Sequence, residues 1–191
     1  MNEKTKKIVG VGIFTAIVVV LQLLGSFIKF GTFSVSLVLI PIVVGAALYG
    51  VGAGAWLGLV FGITVLVSGD AAPFLAVNPA GTVATVLLKG ALAGLAAGAV
   101  YKLLEKKSIF GAALCAAVTA PVVNTGVFLL GCLAFFMPTV NEWAAAAGVE
   151  SAGKFMIVGL VGLNFLFELV FNLVLSSVIV KLIHLGKKEP R

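Results

Sequence analysis

Apolar residues run in long blocks along this chain, and polar ones interrupt them in few places. The blocks fall at about 8–28, 33–49, 51–68, 81–104, 109–136 and 155–183. Most reach about the 18–20 residues that a helix needs to cross the hydrocarbon of a bilayer. The pattern predicts an all-α membrane protein with six transmembrane helices in a compact bundle, a single integral membrane domain over residues 1–191. The second block passes directly into the third at Gly50. Two longer breaks stand at 69–80 and 137–154. The first holds Asp70, Pro73, Asn78 and Pro79 and reads as a loop. Its apolar middle, from Phe74 to Val77, suggests that the loop packs on the bundle or dips into the membrane. The second, with Pro138, Asn141, Glu142, Trp143 and Glu150, reads as a second long loop.

Finer patterns lie inside the blocks. Glycine recurs every fourth residue at Gly50, Gly54, Gly58 and Gly62, and again at Gly90, Gly94 and Gly98. That spacing puts each set on one helical face. A face without side chains lets a neighbouring helix approach backbone to backbone. Pro41 and Pro121 fall within the second and fifth blocks, where an interior proline predicts a kink. Thr119, Asn124 and Thr125 stand beside Pro121.

Composition agrees with the membrane reading: 61% of residues are hydrophobic and 10% charged, with a mean hydropathy of +1.23. The net charge of +6 suggests a nucleic-acid partner only until its distribution is read, because the cations sit at helix ends. Six crossings put both termini on one side of the membrane. Ten cations, at 4, 6, 7, 102, 106, 107, 181, 187, 188 and 191, then share that side, and Lys29 and Lys154 take the other. The imbalance predicts cytoplasmic termini in a plasma membrane and external positions for both long loops. The basic start and apolar run resemble a signal peptide. However, the run is long enough to span and lacks a small-x-small cleavage site, so it is expected to be a retained first helix. Cys115 and Cys132 lie on one predicted helix, about 25 Å apart along its axis, too far to pair with each other.

Three polar groups interrupt the apolar interior at similar depth: Lys89, Asn124 and Glu168 on the fourth, fifth and sixth helices. A cation at the bilayer centre costs about 2.5 kcal/mol or more, so such groups face the bundle interior or a cavity. Thr82 and Thr85 share a stripe with Lys89, and Asn164 and Asn172 share a face with Glu168. One reading is a structural Lys89–Glu168 pair that locks two helices. The other is an external-side pocket in which Thr82, Thr85, Lys89, Asn124, Asn164 and Glu168 bind a small polar ligand. Phe74, Asn78, Asn141 and Trp143 on the loops would close over it; Trp143 equally suits an interfacial anchor. No phosphate-binding G-x-x-x-x-G-K-[ST] loop is present, His184 is the only histidine, and no His/Cys/Asp/Glu cluster has metal-ligand spacing. The expectation is no enzyme, no cofactor, no metal site and no nucleic-acid partner.

The order of these features resembles a known family. A basic N-terminus precedes a small-xxx-small first helix at Gly12 and Ala16. SVSLVLIPIVVGAALYG passes directly into GAGAWLGLVFG, and an Asn-Pro loop leads into GTVATVLLKGALAGLAAGAVYKLL. Together they are similar to the substrate-binding S components of energy-coupling factor (ECF) vitamin transporters, over about 7–181, with the riboflavin and pantothenate branches as the nearest patterns. The resemblance implies six helices and a vitamin site built from helices 4 to 6 and the loops. It implies a membrane coupling (T) protein and two cytoplasmic ATPases as partners, and a prokaryotic cell membrane. It also implies that Gly12 and Ala16 meet the coupling protein, with Gly12 standing where the family usually has alanine. Two alternatives remain at this stage. One is an autonomous ion-coupled secondary transporter with Glu168 titrating against Lys89; the other is a membrane scaffold without a ligand.

Overall fold

A computed structural model of the chain describes residues 2–27, 29–30, 33–34 and 37–188. Helix α1 spans Glu3–Phe27. Strands β1 (Lys29–Phe30) and β2 (Phe33–Ser34) form a small antiparallel pair in which Lys29 faces Ser34. Helices α2 (Leu39–Tyr49), α3 (Val51–Ser68), α4 (Ala72–Val77), α5 (Pro79–Leu104) and α6 (Ile109–Phe135) follow. Then come α7 (Met137–Ala146), α8 (Ala152–Lys154), a π-helical segment (Phe155–Gly162), α9 (Leu163–Val174) and α10 (Ser176–Lys188).

Among the described residues, α1, α3, α5 and α6 are long and apolar enough to cross a membrane, and the bent unit of 152–162 with 164–174 makes a possible fifth. Among the described residues, four or five helical units rather than six therefore have the length of a full crossing. The second expected span, 33–49, divides into a strand and an 11-residue helix. At 1.5 Å per residue that helix is about 16 Å long, half the hydrocarbon thickness. Pro41 explains its start. It sits in the first turn of α2, where a missing N–H costs no intrahelical bond, so the expected mid-helix kink does not arise there. Gly31, Thr32 and Arg191 lie outside the described residues.

The sixth expected span also differs. Residues 155–162 wind as a π-helix, and the chain bends by 41° between the segment ending at Gly162 and the one beginning at Asn164. Glycines and π-type insertions are common causes of such bends, and Gly159 and Gly162 both lie in this segment. In α6 the reverse holds. The helix continues through Pro121, which is buried in the packed interior. Both expected loops are largely helical: α4 occupies the middle of the first, and α7 and α8 most of the second.

The glycine stripes are the seam of the bundle. A Cβ placed on Gly58 would strike the carbonyl oxygen of Gly90, and one on Gly94 would strike that of Gly54. A Cβ on Gly62 would lie 2.7 Å from the Val86 carbonyl oxygen. Helices α3 and α5 therefore touch backbone to backbone, as the four-residue period predicts. Gly50 leaves the stripe: at φ +96° it makes the sharp turn from α2 into α3, a conformation costly for any residue with a side chain.

Two apolar clusters fill the interior. The larger joins α1, α2, α3, α5, α6 and α10 through residues such as Val18, Ile42, Leu57, Phe61, Ala97, Ala116 and Ile179. The smaller gathers Phe74, Cys132, Phe136, Val140, Met156 and Leu160. Both contribute walls to the cavity described next.

Candidate functional site

Helices α5, α6 and α9 enclose a cavity of about 100 Å³ with α1, α3, α4 and the π segment. That is many times the roughly 10–15 Å³ needed for one water. Its polar wall includes Thr82, Thr85, Lys89, Asn124, Asn164 and Glu168, the six residues that the helical spacing had drawn together. Its apolar wall includes Phe61, Phe74, Phe128 and Phe136.

The local sequence positions each group. Thr82 and Thr85 face inward from α5 and are almost fully buried. Gly131 on α6 leaves the space that the Thr85 side chain fills. Thr82 donates to the Asn78 carbonyl oxygen at 2.8 Å. Lys89 extends its Nζ over the faces of Phe61 and Phe128, 5.8 and 5.4 Å from the ring centroids. A ring face attracts a cation electrostatically, by about 2 kcal/mol or more where water is excluded. Glu168 is 4% exposed and accepts from Asn164 Nδ2 at 3.5 Å. The Asn124 amide faces the same carboxyl group. The 41° bend just before Asn164 sets the direction of the face that carries both Asn164 and Glu168.

No ion pair joins Lys89 to Glu168. Among the described residues the pair within 4 Å is Lys154–Glu150, at 3.4 Å on the exposed surface. The structural-lock reading of Lys89 and Glu168 therefore has no direct contact behind it; both instead line one cavity. Thr85 Oγ1, Asn124 Oδ1 and Glu168 Oε2 are buried there without a hydrogen-bond partner in the structure. Buried polar atoms are nearly always satisfied, and the exceptions concentrate where a ligand or solvent completes them.

Four of the polar and aromatic candidates stand off the wall. Asn78 caps α5: its Oδ1 accepts from Gly81 N at 2.9 Å. Trp143 on α7 packs edge-on against Phe74, 5.3 Å between centroids. Phe74 also meets Phe128 and Phe136 edge-on at 5.5 and 5.1 Å, so α4 and α7 form an aromatic layer beside the cavity. Asn141 is exposed, and Asn172 is buried on α9 one turn beyond Glu168, off the cavity wall. Gly12 and Ala16 lie on an exposed strip of α1 with Ile13 and Val20, and nothing comes within 4 Å of a Cβ at Gly12.

Sequence reasoning missed one cluster. Asp70 follows the α3 C-cap Gly69 and lines the cavity. Its Oδ2 accepts from Gln22 Nε2 at 2.8 Å, Ser26 Oγ at 2.8 Å and Ser68 Oγ at 3.0 Å. Gln22 is 2% exposed, lines the cavity too, and leaves its Oε1 without a partner. The signal available was weak: a four-residue polar spacing in α1, and the one acidic residue between Glu3 and Glu105.

The comparisons bear on this architecture. No curated protein matches the chain. The fold resembles a solved structure of ThiT from Listeria monocytogenes, with a TM-score of 0.72 and 22% identity, over 97% of this chain and 98% of that one. At that identity the likeness speaks for the fold alone. Nothing in the comparisons favours the riboflavin or pantothenate branch that the sequence pattern had suggested. Residues 6–180 match the family model for the substrate-specific component of ECF transporters. Such components are membrane transport subunits rather than enzymes, working with a T component and ATPases. By that match, which spans most of its length, the chain belongs to the family of ECF transporter substrate-specific components.

Proposed function

We propose that this chain captures a water-soluble vitamin or related micronutrient in the α5–α6–α9 cavity and delivers it inward with a membrane coupling protein and two cytoplasmic ATPases. One observation carries the reading. Six polar residues from three helices converge on a single cavity, three of their buried atoms lack partners, and the two charged groups among them are not paired with each other. A scaffold would gain stability by closing that gap, since an unpaired buried polar group costs about 1–3 kcal/mol.

In this reading Thr82, Thr85, Lys89, Asn124, Asn164 and Glu168 contact the substrate. Asn78 and Trp143 act indirectly, by capping α5 and by backing Phe74. The cavity opens externally and both termini are cytoplasmic, as the cation distribution supports. The short apolar helix α2 serves as the sixth crossing in this reading. Gly12 and Ala16 form the strip that meets the coupling protein. The ion-coupled carrier is the weaker reading, because the family works through partner ATPases.

The test is uptake into proteoliposomes. The chain reconstituted with its coupling protein and ATPases should accumulate its vitamin only when ATP is supplied to the nucleotide-binding side. Accumulation by the chain alone, driven by a proton or sodium gradient, would overturn the proposal in favour of the carrier.

A further inference from the structure

The hydrogen-bond arrangement in the cavity has a direction. Three amide side chains line it; two donate from their NH2 to a carboxyl group, and the third is set against one. Gln22 Nε2 donates to Asp70, Asn164 Nδ2 donates to Glu168, and the Asn124 amide faces Glu168. A carboxylate only accepts, so these contacts fix which end of each amide is committed. The atoms left over are acceptors: Gln22 Oε1, Asn124 Oδ1 and Glu168 Oε2 are all buried and unpartnered. Thr85 Oγ1, the fourth, can act either way. The opposing donor is Lys89, whose Nζ already rests over two ring faces.

We propose, resting on the capture reading above, that the cavity selects a small flat molecule that presents several N–H donors, such as an amino-substituted or cationic nitrogen heterocycle, in preference to a carboxylate. The unpartnered oxygens require donors. Two carboxyl groups against one amino group favour a positive ligand over a negative one. The rings of Phe61, Phe74, Phe128 and Phe136 supply apolar and edge contacts for a planar ring. A ligand carboxylate would leave the three acceptors unsatisfied and face Asp70 and Glu168, and leaving site groups unpaired discriminates strongly between otherwise similar ligands.

The test is a binding titration of the purified full-length chain against three sets of probes. Thiamine and pyridoxamine carry amino and cationic nitrogen groups; pantothenate, biotin and 4-pyridoxate carry a carboxylate; riboflavin carries neither a cationic group nor a carboxylate. The expected result is tight binding within the first set, with pyridoxamine favoured over 4-pyridoxate by at least about tenfold. Glu168→Gln, which replaces one acceptor oxygen by a donor, should then weaken the tight ligand at least about tenfold. Thr85→Val, which removes only the ambivalent hydroxyl, should weaken it less. If Glu168→Gln does not yield a folded protein, Gln22→Met serves in its place. A tight ligand in the second or third set overturns this inference while leaving capture intact. Binding of no probe overturns capture, and this inference with it.

Discussion

Lys89 sits over two phenylalanine rings on the cavity wall instead of against Glu168. That placement keeps a cation in an apolar bundle without a direct carboxylate contact. Replacing Lys89 with Ala should weaken substrate binding by about tenfold, roughly 1.4 kcal/mol, through loss of the hydrogen bond it donates to an acceptor on the ligand, such as a ring nitrogen or a hydroxyl oxygen; unchanged affinity in a well-folded variant would take Lys89 out of the contact set. Asp70 has a different part. It accepts three hydrogen bonds on one oxygen, from two helical turns of α1 and from the end of α3. Asp70→Ala should lower stability by about 2 kcal/mol, the order of a hydrogen bond to a charged group, seen as a lower unfolding temperature. An unchanged unfolding temperature would mean that α1 is held by its apolar contacts alone. The polar cavity set was legible in the sequence because a residue's depth and face follow from helical period, a local quantity. The Asp70 cluster was not, because Gln22 and Asp70 are 48 residues apart and only the packing of α1 on the bundle joins them.

At the scale of elements, the α3–α5 seam was readable for the same reason. Glycine at every fourth position specifies a bare face whatever the partner, and two such faces meet. Gly58→Leu should force α3 from α5, at about 1–3 kcal/mol or more for an overpacked contact, with a marked fall in unfolding temperature. Wild-type stability in that variant would show that the helices do not meet at Gly58. Element boundaries were less legible. The run 33–49 is apolar throughout, so hydropathy gives no sign that its helical part begins only at Leu39. Pro41 fits either a kinked long helix or the first turn of a short one, and only the surrounding structure decides. The bend before α9 was hidden likewise, since glycines at 159 and 162 suit helix packing as well as a π segment. The breaks at 69–80 and 137–154 look like loops for their prolines, yet Pro73, Pro79 and Pro138 each open a short or long helix at its first turn.

The whole molecule divides its labour between an interior and a strip. The interior holds the cavity, bounded by both apolar clusters. The strip is the outer face of α1, where Gly12 and Ala16 leave a shallow apolar surface exposed; under the proposal a helix of the coupling protein meets it. The two are separate enough to be changed one at a time. Ala16→Trp should leave substrate affinity within about twofold and abolish co-purification with the coupling protein, because a bulky side chain blocks close helix approach. Retained co-purification would move the docking strip elsewhere. Family membership speaks for a transport subunit, and the structural likeness for its fold. Substrate identity is not carried by either, since it depends on a few side-chain groups inside the cavity.

The most direct test of the account is equilibrium titration of the purified, detergent-solubilised chain with water-soluble vitamins, in the absence of nucleotide, partner subunits and ion gradients. Trp143 stands against the aromatic layer beside the cavity and offers an intrinsic fluorescence signal, with calorimetry giving the stoichiometry. The account predicts one vitamin bound tightly at one molecule per chain, and weakened by Lys89→Ala. Absence of stoichiometric binding across the panel, in protein that remains folded and monodisperse, would contradict it.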